Sequence, residues 1–539
     1  MLDIYNLLES CRRLPLAWIT KDLTRELSSY NRVQGSKGLE DAVKETANIL
    51  GGLGLAVKMF EVPSSSAKGF IETPASWDAV NGFVEFKKGS TPIARFNYFD
   101  HPTLIAAHSP PGEGCSKLKL CRDLHGCDGE AILIEAPASV AYRELSSSLI
   151  VLYDSTRYPL GVPYTGVFLK SGEIKGTSVV NIPYSVALKI ISQVSKDIEV
   201  QVCWEVKSTF SSRSMHGLIA YRGEDPGVLY TSHICHPKPG SHDNVSGVVA
   251  SILAAKMISS LGQSFSHAHL FIPEHTGTIY ADSYMPWVPV AAINLDMVGS
   301  KQWATKSTLN IVIPPLFMRS SSAPYTYLAS KLVLDSASSF GGFKLPAVKY
   351  SISPYTAGSD HDVTIAWGLD STMLNEWPSK YYHTDLDDIN TLSTPQIINI
   401  AIVATLAGKM LAADQKKEHV RGAFLEYVKS WYSIEALKVN MDISNVSRVL
   451  EEQITPQFNP NLTPVSSRYL YRKLGWRKYR RLREIKGAVA FLSVYAPLAY
   501  LNGIRNFFEY FQLENILRWS NEEKALIEEV WLNLRQELG

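Results

Sequence analysis

The chain has 539 residues and a mass of 59.9 kDa, about three or four domains' worth of sequence. Hydrophobic residues make up 45% and charged residues 19%, which excludes a largely disordered protein. With 53 basic and 52 acidic side chains, net +1, no overall field draws in nucleic acid or a membrane surface. Six cysteines in this length argue against a disulfide scaffold, and no two have C-x-x-C spacing. The start, MLDIYNLLESCRRLPLAW, has no apolar h-region. The longest apolar run, AVAFLSVYAPLAYL from Ala488, is 14 residues with a proline inside it, against the roughly 20 a membrane span needs. These features predict a soluble, cytoplasmic, multidomain protein.

The first elements, over 1–83, read as mixed α/β. KGLEDAVKETANILGGLGL places Leu39, Ala42, Val43, Ala47, Ile49 and Leu50 near helical spacing, and Gly51 supplies a stop. Short apolar runs with Gly and Pro punctuation follow, including TLIAA, GEAILIEAP, SLIVLYD and SVVNIP, and they predict a β-rich unit over 84–206. Inside it, Cys115, Cys121 and Cys127 with His125 read as three buried thiols rather than a small metal knot. From 207 to 414 strands alternate with helices. VLYTS precedes SGVVASILAAKMISSL, AHLFI and VAAINLD follow, and STMLN precedes the buried helix TPQIINIAIVATLAGKMLAA. That rhythm predicts a mostly parallel sheet covered on both faces. The segment 415–539 reads as helical and more charged, a possible dimerisation region. Its stretch from Arg468 to Lys486 holds nine Lys or Arg against one acid, Glu484, and reads as a solvated helix face or a subunit contact.

Histidine is unevenly placed. Seven of 13 lie between His216 and His275, and imidazole is the commonest metal ligand. Several polar residues stand just past the ends of apolar strands: His233 and His236 after VLYTS, Glu274 and His275 after LFIP, Asp296 at the end of VAAINLD, and His383 after STMLNEWP. In an open parallel sheet, ligands bind beyond the carboxyl ends of the strands. Asp243, in SHDNVSG, sits before the helix that returns from that edge. A divalent metal wants three or four such ligands with one position open for water, and a paired site wants a bridging carboxylate. Asp243 as bridge, His233, Asp296 and His383 as ligands, and Glu274 as proton shuttle fill those roles.

The pieces TSHICHP, HDNVSG, FIPEHTG, NLDMVG, GSDHDVTIAWG and YYHTDLDD resemble, in order, the zinc exopeptidases of the aminopeptidase Y, bacterial leucyl aminopeptidase and glutamate carboxypeptidase group. NRVQGSKGLEDA also resembles that group's opening segment. The resemblance covers about 20–82 and 207–413 and implies a three-layer α/β/α fold with a mostly parallel mixed sheet. It further implies an inserted protease-associated-like β-domain, a helical end and two zinc ions. Carried over, His233 and Asp296 hold one metal, Asp243 bridges, with Asn244 after it in a cis peptide, His383 holds the second metal, and Glu274 is the general base.

The sequence departs from that pattern twice. His275 stands where a second Glu ligand is usual, so either Asp243, His275 and His383 form the second site or only one ion binds tightly. Cys235 stands where an Asp usually supports the first His, which leaves His236 or Cys235 as alternative ligands. Asp360 and His361 are expected to shape the site, Asp387 to orient the His383 ring, and Tyr350 and Tyr355 to line a substrate pocket. The implied function is hydrolysis of a terminal peptide or amide bond in a small substrate by metal-bound hydroxide. The rivals are an amidase, deacylase or cyclase of the same fold, and a non-catalytic binding protein. Partners are a small substrate and a second copy of the chain, with no nucleic acid and no membrane.

Overall fold

The computed structural model describes residues 2–413, 417–442 and 444–538. Its central sheet has eight strands: β1 (Ala56–Val62), β2 (Met215–Arg222), β3 (Val228–His233), β4 (His267–Ile272), β5 (Ala291–Asp296), β6 (Thr308–Val312), β7 (Tyr350–Ser353) and β8 (Ser371–Trp377). Their spatial order is β1-β2-β4-β3-β5-β8-β6-β7. The middle four, β4, β3, β5 and β8, are parallel, and antiparallel neighbours β2 and β6 flank them. Every residue of β3, β4 and β5 is buried, as expected of strands covered on both faces. The sheet is mixed and mostly parallel, as expected.

Helix α1 (Lys37–Gly52) starts at Ser36, whose hydroxyl accepts from the Leu39 N–H. On one face of the sheet α2 (Ser246–Ser260), α3 (Ser322–Leu334) and α4 (Thr394–Ala413) share a core with the helix Ala17–Ser29. The other face, with Phe60, Met215, Leu229 and Leu270, is covered by Tyr280, Tyr284 and Met285. These are the three layers. Helix α4 is long and apolar enough to cross a membrane, but it lies against α2 and α3 with 67% of its apolar window buried.

A second sheet of seven strands lies between Ser76 and Ser211. Its first strands pair antiparallel, while Gly112–Leu120, Ala131–Ile134, Leu149–Leu152 and Ser178–Asn181 run parallel, with the helix Ala138–Glu144 between the second and third of them. The cysteines here correct an expectation. They are not buried thiols: Cys115 is exposed and bonded to Cys203, its direct partner across two antiparallel strands, and Cys121 is bonded to Cys127. Strand register, invisible in sequence spacing, brings Cys115 and Cys203 together over a separation of 88 residues. The free cysteines, Cys11 and Cys235, are both buried.

The expected boundary at 414–415 lies outside the described residues. The later helices fold back onto their own chain, and one core joins them to both sheets. Phe491 meets Phe508, Phe511 and Trp519 at ring-centroid distances of 4.6, 5.2 and 5.3 Å, and each such pair adds about 0.5–1.5 kcal/mol beyond its burial. The basic helix Ser467–Glu484 is not a plain solvated face. Arg472 pairs with Glu72 and Glu173, Lys473 with Glu537, and Lys478 with Glu529.

In this helical core Glu514 is 1% exposed and accepts a hydrogen bond from the Tyr495 hydroxyl. Burial pushes its carboxyl up to about 8. The folded chain therefore keeps a proton that the unfolded chain releases above its ordinary carboxylate pKa. The resulting stability is complete below that value and is lost as pH rises towards 8. Glu514→Gln should match the wild type at pH 5 and exceed it at pH 8 by about 1–3 kcal/mol in urea unfolding.

Candidate metal centre

The parallel strands β3, β5 and β8 point their carboxyl ends at one rim, and β4 ends beside them. His233 closes β3 and Asp296 closes β5. Asp243 arrives from the turn before α2, and His383 from the loop after β8. The carboxylate of Asp243 faces both ways. Its Oδ1 lies 3.3 Å from His233 Nε2, and its Oδ2 lies 3.3 Å from His236 Nε2 and 3.1 Å from His383 Nε2. Asp296 Oδ1 completes the first group, 3.3 Å from His233 Nε2. Two donor sets result, His233–Asp243–Asp296 and His236–Asp243–His383, each with its ligand atoms within 4.8 Å of one another.

These sets fit divalent metal. Tetrahedral ligands about 2.0–2.1 Å from zinc lie roughly 3.3 Å apart, which is the spacing seen here. His236 Nε2 and Asp296 Oδ1 are buried without a hydrogen-bond partner, a costly state for a polar atom unless something coordinates it. The other ring nitrogens are already assigned: His233 Nδ1 faces the Cys235 carbonyl at 3.1 Å, and His236 Nδ1 faces the Pro237 carbonyl at 2.9 Å. Both rings are thus oriented with Nε2 towards Asp243. Burial opposes ionisation of Asp243, yet His236, His233 and His383 hold its carboxyl well below the usual range.

The turn carrying Asp243 is pinned from several sides. Asp387 accepts from the N–H groups of His242 and Asp243 at 3.0 and 2.9 Å. Its expected role on the His383 ring is therefore corrected: it anchors the backbone at His242 and Asp243. The Asp243–Asn244 peptide is cis. The Asn244 amide donates to the carbonyls of His233 and Leu295 and accepts from the N–H groups of Gly247 and Met297. Gly247 is needed here, since a Cβ would strike the Leu295 carbonyl and the Asn244 side chain. Arg32, fully buried, donates to the carbonyls of Leu27, Tyr30, Ile234, Pro239 and Gly240, which holds the loop that presents His236.

His275 is the main correction. It lies in neither donor set. Its φ of +54° turns the ring away, so that Nε2 lies 2.9 Å from the Ser359 carbonyl and 3.6 Å from Asp362. Burial pulls its pKa down, but Asp362 and Glu274 outweigh that and raise it to about 10. His236 stands in the donor set of Asp243 and His383 instead. Cys235 contributes its carbonyl to His233, and its Sγ accepts from the Glu274 N–H at 3.1 Å. Asp360 accepts from the His275 N–H and the Thr278 hydroxyl, and His361 Nε2 faces the Thr356 carbonyl at 2.8 Å.

A cavity of about 850 Å³ opens over the two donor sets and is bordered by Glu274. The expected tyrosines do not line it. The Tyr350 hydroxyl bonds Asp335, and Tyr355, fully buried, bonds Asp362. Tyr164, Phe168 and Tyr382 line it instead. Tyr382 stacks on His383 with ring centroids 3.8 Å apart, and Tyr164 reaches His383 from the second sheet's segment at 5.0 Å. That segment also holds the His383 loop. The Tyr164 N–H donates to the His383 carbonyl at 2.7 Å, and Asp385 accepts from the Val162 N–H and meets His101 Nδ1 at 2.6 Å. The only sequence signal for these contacts was the adjacency of Tyr382 to His383. Glu274 lies beside the first donor set. Burial pushes its carboxyl up to about 7, with His233 and His275 pulling down and Asp296 and Asp360 pushing up.

Solved structures share this architecture. A zinc aminopeptidase from Bacillus subtilis aligns over 75% of this chain and 97% of its own, with a TM-score of 0.53 and 18% identity. A peptidase M28 precursor from Shewanella amazonensis SB2B aligns over 76% and 96%, with a TM-score of 0.54 and 15% identity. A putative peptidase from Clostridium acetobutylicum aligns over 83% and 96%, with a TM-score of 0.52 and 15% identity. At these identities the likeness is one of fold: the chain has the aminopeptidase-like α/β fold of zinc exopeptidases. No family model and no curated protein sequence matches it.

The exchange of His275 for His236 is directly testable. His236→Ala should weaken zinc retention by about tenfold to a hundredfold or more during dialysis against a chelator, while His275→Ala should leave it unchanged. Elemental analysis of the dialysed proteins reads the difference.

Proposed function

We propose that this protein is a zinc-dependent hydrolase that cleaves a terminal peptide or amide bond, with Glu274 as general base. One observation carries the reading: the two oxygens of a single buried carboxylate, Asp243, each face a separate imidazole-bearing donor set, and Glu274 borders the same cavity. The neighbours' fold supports it, and three of them are described as an aminopeptidase or peptidases.

His233, Asp243 and Asp296 would hold one ion and His236, Asp243 and His383 the other. When bound, such a pair polarises a carbonyl and lowers the pKa of water. The protein's own groups do the rest. Tyr164, Phe168 and Tyr382 wall the cavity and limit water around the scissile bond. Glu274, set near 7 by its surroundings, takes a proton from the attacking water and passes it to the leaving amine. Its backbone is fixed by the Cys235 thiol on the N–H and by Gln34 Nε2 on the carbonyl at 3.3 Å, so the carboxylate is aimed by groups that take no part in the proton transfer. The two disulfides favour an oxidising compartment over the cytoplasm as the place of work.

Glu274→Gln should lower kcat on aminoacyl fluorogenic substrates by about 10²–10⁴-fold. Zinc content and Tm should stay at wild-type values. Undiminished turnover in that variant would remove Glu274 from the mechanism.

A further inference from the structure

A second cavity, of about 660 Å³, adjoins the first. Both are lined by Gln34, Phe168, Glu274, Ala357 and Gly358, so they meet beside the proposed base. The far wall of the second comes from the C-terminal helices, including Arg468, Arg483 and Lys486.

The cavity is lined by three acids, Glu72, Glu274 and Asp362, and by three cations that all come from the C-terminal segment. Glu72 lines the cavity and Glu173 lies behind it, and four cations converge on the two: Arg143, Lys170, Arg468 and Arg472, of which Arg468 alone is in the lining. Arg468 is ion-paired to Glu72, whose Oε2 has no hydrogen-bond partner. The Arg468 Nη2 donates to the Val167 carbonyl, but its Nη1 is buried without a hydrogen-bond partner, 3.7 Å from Glu72. Arg483 and Lys486 add two further cations, neither ion-paired among the described residues. Arg483 meets only the Tyr479 ring, at 5.9 Å. Of the other two lining acids, Asp362 is already taken by His275, the Tyr355 hydroxyl and the Gly358 N–H, and Glu274 is the proposed base at the junction with the first cavity. A buried guanidinium with one nitrogen lacking a hydrogen bond, beside two further cations without an ion pair, can receive an anion.

Resting on the hydrolase reading above, we propose that this chamber binds an anionic group of the substrate, a carboxylate carried beyond the scissile amide, through Arg468, Arg483 and Lys486. The carboxylate has two possible sources, the chain's terminal carboxyl or an acidic side chain. The cationic wall then selects acidic substrates and fixes the direction in which they lie across the metal centre.

The test uses the full-length, zinc-loaded protein with Ala-Glu, Ala-Gln, Ala-Glu-amide and Ala-Gln-amide. Comparing Ala-Gln with Ala-Gln-amide isolates the terminal carboxylate, and comparing Ala-Glu-amide with Ala-Gln-amide isolates the side chain. At least one anionic member should exceed its neutral partner by about tenfold or more in kcat/KM. The exposed double variant Arg483→Gln/Lys486→Gln should shrink that ratio without loss of folding, and Arg468→Gln should shrink it further. Isothermal titration of the same four peptides reads preference without turnover. Equal cleavage of all four, or a ratio that survives in the double variant, overturns the anionic chamber and leaves the hydrolase standing. Preferential binding of an anionic member with no cleavage of any overturns peptide hydrolysis and leaves the chamber. Neither cleavage nor preference overturns both.

Discussion

The buried carboxylate of Asp243 is the constraint on which the rest of the site depends. An anion removed from water costs several kcal/mol unless opposite charge and hydrogen bonds surround it. Here three imidazoles face its oxygens, and its own N–H is tied to Asp387. Each of those partners needs support in turn. The cis-linked Asn244 laces the ends of β3 and β5 to the first turn of α2, and Arg32 gathers five carbonyls around the loop that carries His236. The parallel sheet supplies the rim, but the rigidity comes from this shell of buried polar contacts.

Three regions far apart in the chain share the work. The α/β layers contribute the donor sets. The segment with the second sheet supplies Tyr164 and Phe168 and grips the His383 loop through Val162 and His101. The C-terminal helices close one end of the adjoining cavity. Core packing follows the same pattern, since one hydrophobic cluster runs through all three regions.

Much of the architecture was legible in the sequence because fully buried parallel strands and helices announce themselves as apolar runs with polar residues at their ends. VLYTS, AHLFI, VAAINLD and STMLN all form strands of one sheet. What the sequence withheld depends on backbone direction and register. His236 and His275 both follow a strand end, and only the loop held by Arg32 and the left-handed turn at His275 decide which ring reaches Asp243. The pairing of Cys115 with Cys203 is a matter of which residues sit opposite across two strands. Asp387, one helical turn past His383 in sequence, serves the backbone of another loop because that loop is not helical there. Tyr164 carries no periodic signal at all, since it approaches from an irregular stretch.

The grip of the second sheet's segment on His383 bears on how such a protein can change over generations. An inserted unit of this kind looks modular, as if it could be traded for another by recombination at its two junctions. With the His383 loop fastened to Tyr164 and Val162, a traded unit must arrive with its own equivalent fastening, or His383 loses its hold beside Asp243. A unit held this way is not freely interchangeable.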